Sequence, residues 1–383
     1  MWLAKKKNKF DKIQVNENYI APENQGKTET FDAVSEGQKT QSETPAEQYH
    51  DRKVSKTGAG VFSFKKVYPK EKRERVKVSL PKGIIAPHIL MVCVLVMCVL
   101  GMLVADSSFY DEFSGASLYA AYAVTNAIIY IVPCIVYAVS VKKKPKEINV
   151  RGFEAPQISF VFVSLVLLLC LTSLIKYYIA YTFSYRTVES LPAQMDTLGI
   201  VIVTALVPAI CEEVFVHGVL QSEYSRFGGG VSGIMVSAIV FALIHFDLQY
   251  FAVYLAAGLV LGVVTHITGS VFAAMLLHLV NNLVAVFLSD NMTFIASERI
   301  GGAFLMIVLT IFVLVLLIIQ LQMIERICRA RAIKLSSDGE VEDIQQSKYT
   351  LFVCPDGATG RRFARLLFSP AVIAAIIIFA VVV

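Results

Sequence analysis

The sequence predicts an all-α, polytopic membrane protein with about eight to nine transmembrane helices and a disordered N-terminal cytoplasmic tail. Three observations predict it. The 383 residues are 56% hydrophobic and 17% charged, with a mean hydropathy of +0.62, where an average soluble domain is about 45–50% apolar and about 25% charged. The apolar residues fall in runs of about eighteen or more instead of on one face of each helix, which excludes a soluble core as their main use. The net charge of +5 is the sum of +7 over residues 1–82, from 18 Lys and Arg against 11 Asp and Glu, and −2 over the remainder.

Residues 1–82 form the tail. They are rich in Lys, Glu, Gln, Asn, Ser and Thr with few periodic apolar positions, a composition that cannot offset its own ordering entropy. Lys5, Lys6 and Lys7 stand where the apolar stretch of a signal peptide would begin, so the first span is expected to stay in the mature protein. The basic run 70–75 sits directly before a span. That placement serves attraction to anionic headgroups and cytoplasmic retention, and nucleic acid is not expected as a partner.

A span needs about twenty apolar residues at 1.5 Å rise each. The candidates are 84–105, 118–141, 157–181, 197–220, 230–246, 250–268, 270–288, 302–324 and 366–383. The polytopic domain is thus 84–324. A polar cytoplasmic linker, 325–365, leads to a last helix, 366–383, that either spans the bilayer or lies in its interface. Loop 142–151 carries Lys142, Lys143, Lys144, Lys146 and Arg151, whereas 106–117 has no Lys or Arg and holds Asp106, Asp111 and Glu112. Basic loops stay inside, so the N-terminus is expected in the cytoplasm of a multi-pass protein of the cell membrane. The seven cysteines include no C-x-x-C and lie mostly in apolar runs, so they read as packing residues.

Few polar side chains interrupt the apolar runs, and each is costly there and so a functional candidate. They are Glu212, Glu213 and His217 in one helix, His245 in the next, and His278, Asn281 and Asn282 two helices later. Glu213 and His217, Phe241 and His245, and His278 and Asn282 are i,i+4 pairs, so three helices can aim polar groups at one pocket. Counted from Arg226 and Gly230, Glu212 and His245 stand at matching heights of roughly 21–23 Å. His278 stands only about 13 Å above Gly269, so either the 266–270 turn is sunk into the protein or its helix is tilted.

A carboxylate beside an imidazole in a poorly solvated site can activate a water. A second imidazole and an amide on one helical face, His278 and Asn282, suit the oxyanion that forms when water attacks a carbonyl. No Ser or Cys is needed. The structural alternative is that His278, Asn281 and Asn282 are interhelical hydrogen-bond partners. It fits the adjacent Glu212 and Glu213 less well, because two neighbouring carboxylates in a span are not both comfortably ionised.

Glu212-Glu213-Val-Phe-Val-His217, Phe241-Ala-Leu-Ile-His245 and His278-Leu-Val-Asn-Asn282 resemble, in order and spacing, the EExxxR, FxxxH and HxxxN motifs of the CAAX protease and bacteriocin-processing (CPBP, or Abi) family of intramembrane endopeptidases. The resemblance runs over 71 residues, 212 to 282, within a core of about 197–290. It implies that Glu212 is the general base, assisted by His245, with His278 and Asn282 at the oxyanion and Glu213 orienting or sharing a proton. His217 and Phe241 would support them. His217 replaces the family's arginine, exchanging a permanent charge for one present only on protonation.

The sequence therefore predicts hydrolysis of a peptide bond at the membrane, with a peptide or protein substrate and the lipid bilayer as partners. No cofactor is expected, since H-E-x-x-H is absent, although one carboxylate and two imidazoles can also hold zinc. Pro208 should kink its helix and free a carbonyl that helps hold water. Two other readings remain open: a catalytically silent membrane scaffold or immunity-type protein, and a proton-coupled transporter.

Overall fold

The computed structural model describes residues 82–105, 107–150, 152–183, 196–297, 299–337 and 358–383. The tail read at 1–82 lies, but for Lys82, outside the described residues. Every regular element among the described residues is helical. The elements are α1 Ile85–Ala105, α2 Gly115–Ser140, α3 Ile158–Phe183, α4 Thr197–Gly228, α5 Gly230–Leu243, α6 Phe251–Thr268, α7 Val271–Ser297, α8 Arg299–Ser337, α9 Thr359–Leu367 and α10 Pro370–Val382.

Seven of these helices, α1 to α4 and α6 to α8, are long and apolar enough to cross a bilayer, and the protein is a multi-pass membrane protein. The candidate at 230–246 is the exception. As α5 it has 14 residues, about 21 Å at 1.5 Å each against a hydrocarbon core of about 30 Å. Most of α5 is buried by protein, and its exposure is confined to the narrow apolar stripe of Val231, Met235 and Ile239 at i,i+4 spacing,. The run at 366–383 is also divided: α9 and α10 meet at a 44° bend and make an eighth span only if taken together. Ser369 accepts from the Val372 N–H there, with Pro370 opening α10, a start signal in mid-run. Helix α8 continues past Ile324 to Ser337, into the segment read as a linker, while 338–357 lies outside the described residues.

Helices α4, α5 and α6 form the centre, with α3 and α7 packed against α6, α8 against α3, and α10 against α1. Gly229, at φ +83°, joins α4 to α5 in a single residue. At Gly258 of α6 a Cβ would stand 3.0 Å from the Ala238 Cα of α5, the small-residue contact that lets membrane helices approach closely.

The open question of His278's height has a structural answer. Thr268, Ser270 and Val271 are buried, so the α6–α7 turn is sunk into the protein. Loop 141–150 covers it, and the Asn149 carbonyl accepts from the Val271 N–H at 2.9 Å. Arg331 near the end of α8 donates to the Ile267 carbonyl from the same side.

Candidate active site

Helix α4 is not a uniform α-helix. Its first turn is capped by Asp196, whose carboxylate accepts from the Gly199 N–H at 2.8 Å. A π-helical stretch, Val201–Leu206, precedes Pro208, as another, Ala127–Ile131, precedes Pro133 in α2. Proline has no N–H and crowds the carbonyl four residues back, and a wider turn relieves both. The third π-helical stretch, Val214–Leu220, begins directly after Glu213 and contains His217.

Glu212 and Glu213, adjacent on α4, diverge. The Glu212 Oε2 lies 3.8 Å from the His245 Nε2 and is buried without a hydrogen-bond partner among the described residues. The His245 Nδ1 is 2.7 Å from the Phe241 carbonyl. A carbonyl only accepts, so Nδ1 carries the hydrogen and Nε2 turns a lone pair toward Glu212. The imidazole is held between the edge of Phe241 (ring centroids 4.9 Å apart) and a stacked Tyr254 (3.7 Å).

Glu213 is fully buried, with Oε1 2.9 Å from the His278 Nδ1 and Oε2 4.0 Å from the His217 Nε2. His217 Nδ1 lies 2.7 Å from the Gln221 Oε1. The Gln221 Nε2 donates to the Gly262 carbonyl at 2.8 Å, and the Ser237 hydroxyl donates to Oε1 at 3.3 Å. The carbonyl partner fixes which end of the amide faces His217, and thereby puts the His217 hydrogen on Nδ1. The two atoms at 4.0 Å are beyond hydrogen-bond length, so His217 does not reproduce the close charge pair an arginine offers.

Phe241 is the hub of the three histidines. Its ring lies 4.9 Å from that of His245, 5.5 Å from His278 and 5.9 Å from His217. Glu212, Phe241, His245, His278 and Asn282 line one cavity of about 220 Å³. The three helices read from sequence do converge. Asn282 Nδ2 donates to the Thr204 carbonyl at 3.3 Å; this is the carbonyl four residues before Pro208, and it is occupied by an amide where the sequence led us to expect water. Asn281 is interhelical, its Oδ1 accepting from the Thr172 hydroxyl at 3.1 Å.

Several residues escaped the sequence reading. Gln221 and Gly262 shape the His217 pocket, Tyr254 backs His245, and Lys176 of α3 lines the cavity. A signal existed for two of them: Glu213, His217 and Gln221 continue an i,i+4 stripe, and Lys176 interrupts the apolar run 157–181. Among the described residues no group of three His, Cys, Asp or Glu side chains is placed to hold a metal ion.

Comparison with known proteins adds one match. Residues 194–284 match the family model described as type II CAAX prenyl endopeptidase Rce1-like, a segment that contains all three motifs. Neither the curated proteins nor the solved structures gave a match. With those motifs drawn around one cavity inside the matched segment, this central region is similar to that family, and the match supports the resemblance to the CAAX protease and bacteriocin-processing family.

Proposed function

We propose that the protein is an intramembrane endopeptidase that hydrolyses a peptide bond with a water activated by Glu212. The observation that carries this reading is the 3.8 Å separation of the Glu212 Oε2 and the His245 Nε2 at the wall of the cavity. Both atoms accept hydrogen bonds, and a water donating to each sits with its own lone pairs turned to the substrate carbonyl. Glu212 takes the proton as that water attacks, and His245, fixed by the Phe241 carbonyl and Tyr254, holds its direction. The negative charge that develops on the carbonyl oxygen needs donors already in place. Asn282 keeps a second amide hydrogen after donating to Thr204, and His278, its Nδ1–H held by Glu213, supplies the other from Nε2 as an imidazolium,. Glu212 then returns the proton to the leaving amine.

This chemistry is read as metal-free, because among the described residues no three His, Cys, Asp or Glu side chains are placed to hold one ion, and the group that shares the cavity face with His278 is the amide of Asn282. Topology enters the same proposal. Lys143 pairs with Glu223, Arg226 binds Glu223 and the Glu147 carbonyl, and Arg331 and Arg362 cap α6 and α4. This basic end of the bundle is assigned to the cytoplasm with the N-terminus.

One observation favours a second reading, a catalytically silent membrane protein: the 4.0 Å gap between His217 and Glu213 where the family has arginine. Purified protein in detergent, given a panel of prenylated and unprenylated peptides, separates the two. Glu212→Gln and His245→Ala are each expected to lower cleavage by about 10²–10⁴-fold, and a chelator is expected to leave wild-type cleavage unchanged. Loss on chelation, restored by zinc, would move the chemistry to a metal. Absence of cleavage by the wild type and by His217→Arg alike would leave the silent reading.

A further inference from the structure

Lys176 is a cation within an apolar span, in the last third of α3. Ile175 and Tyr178 turn to an apolar crevice between α3 and α8, whereas Lys176, half-buried, lines the cavity of Glu212, His245 and Asn282. A lysine in a span is costly unless it pairs, snorkels to the interface or faces a wet cavity. Among the described residues no carboxylate oxygen lies within the 4.0 Å ion-pair distance of its Nζ, and the ion pairs of Glu212 and Glu213 all run to histidines. The ammonium is therefore not consumed by internal pairing. It is positive charge held at the same cavity as the general base.

We propose that Lys176 is the anion-recognising residue of this cavity and takes a carboxylate of the peptide substrate close to the scissile bond. The proposal rests on the hydrolytic reading above and deepens it by naming a chemical feature of the substrate. A cavity of about 220 Å³ is about seven waters' worth at about 30 Å³ each, room for a short extended segment. At about 3.3–3.6 Å per residue, the carboxylate must lie within about three residues of the bond that is cut. Such an anion is repelled by the Glu212 carboxylate unless a cation offsets it, and Lys176 is the ammonium among the lining residues of this cavity. The carboxylate is either the chain terminus or an Asp or Glu side chain, and the ligand chemistry is the same.

The test uses the full chain in zwitterionic lipid nanodiscs. The probe is a fluorescent peptide ending in S-farnesyl-cysteine and three aliphatic residues, prepared as the free acid, as the C-terminal amide, and as the amide with one aliphatic residue replaced by Glu. Binding is read by anisotropy, so it does not depend on turnover. Wild type is expected to prefer the better of the two acidic peptides over the neutral amide by about tenfold, the size of one charge-assisted hydrogen bond. Lys176→Gln should reduce that preference to within about twofold, and Lys176→Arg should retain most of it. The two acidic peptides distinguish terminal from side-chain carboxylate. Where cleavage is measurable, the Lys176→Gln effect should fall on KM and spare kcat. Equal wild-type affinity for acid and amide, or a preference that survives in Lys176→Gln, overturns the proposal. So does a Lys176→Gln effect seen only when anionic lipid is added, which would assign the cation to a headgroup. A carboxylate preference in binding without any cleavage would support Lys176 while removing the hydrolytic reading.

Discussion

Gln221 holds His217 in one tautomer: its Oε1 lies 2.7 Å from the His217 Nδ1 while its Nε2 donates to the Gly262 carbonyl at 2.8 Å. The bare Nε2 of His217 is thereby turned on the buried Glu213, whose other oxygen is already bound to His278. Glu213 is hydrogen-bonded to His278, so a chain of contacts runs from the amide of Gln221, which does not line the cavity, to the proposed oxyanion side of the site.

Gln221→Leu should test this relay. It leaves the Gly262 carbonyl and the His217 Nδ1–H without their partner, at a cost of about 1–3 kcal/mol each if unsatisfied. The expected result is a lower Tm in detergent and a fall in kcat at nearly constant KM. Gln221→Glu keeps an acceptor for His217 and should lose less kcat than Gln221→Leu; equal losses would mean that the side chain serves packing alone.

Gly262→Ala asks whether the pocket tolerates one methyl group. A Cβ there would stand 3.0 Å from the Gln221 Oε1 and 3.3 Å from both the His217 Cε1 and an Ile234 methyl. None of these is the free end of a flexible chain. Overpacking of this kind costs about 1–3 kcal/mol, so thermal unfolding should occur at lower temperature. An unchanged Tm would show that the pocket has slack.

Phe246 follows His245 at φ +47°, a backbone conformation that bulky residues rarely adopt,. Its ring stacks on Phe379 of α10 at 6.1 Å, and Phe379 also meets Phe251 edge-on at 5.7 Å. The end of the chain thus clamps the turn that aims His245. Phe379→Ala should destabilise by about 3–5 kcal/mol and depress cleavage by disordering His245. If cleavage survives at temperatures where the variant is folded, the clamp is structural only.

Asp196 gives a pH dependence outside the spans. The Tyr119 hydroxyl, donating at 2.6 Å, and then the Gly199 N–H hold its carboxyl below the usual carboxylate range. A folded value below the unfolded one means that its stabilisation is fully present above the unfolded value, about 3.9, and is lost as pH falls through the folded value. The Tm difference between wild type and Asp196→Asn should therefore stay constant from about pH 5 to 8 and shrink below about pH 4. A difference that grows on acidification would contradict this assignment.

Much of the site was legible because it is built from polar residues at helical spacing where polarity is expensive. Glu212, His245 and His278 announce themselves against an apolar background, and the equal heights of Glu212 and His245 follow from counting residues to their helix ends. The divergence of Glu212 and Glu213 was not legible, since it depends on what α5, α6 and α7 bring to each side chain. Gln221 was hidden by lying where α4 turns polar near its end, and Gly262 because a glycine's contribution is the space it leaves. The division of 230–246 from the true spans escaped composition as well: a helix buried by protein and a helix buried by lipid share the same apolar run.

The sunken turn between α6 and α7 has a mechanical consequence. Because Val271 is tied to Asn149 and Ile267 to Arg331, the starting point of α7 is referenced to neighbouring protein and not to the membrane surface. Outer helices that hold neither tether, such as α1, can tilt to match a thinner or thicker bilayer, while the Glu213–His278 pair keeps its vertical alignment. The inner bundle behaves as a levelled platform inside a compliant rim.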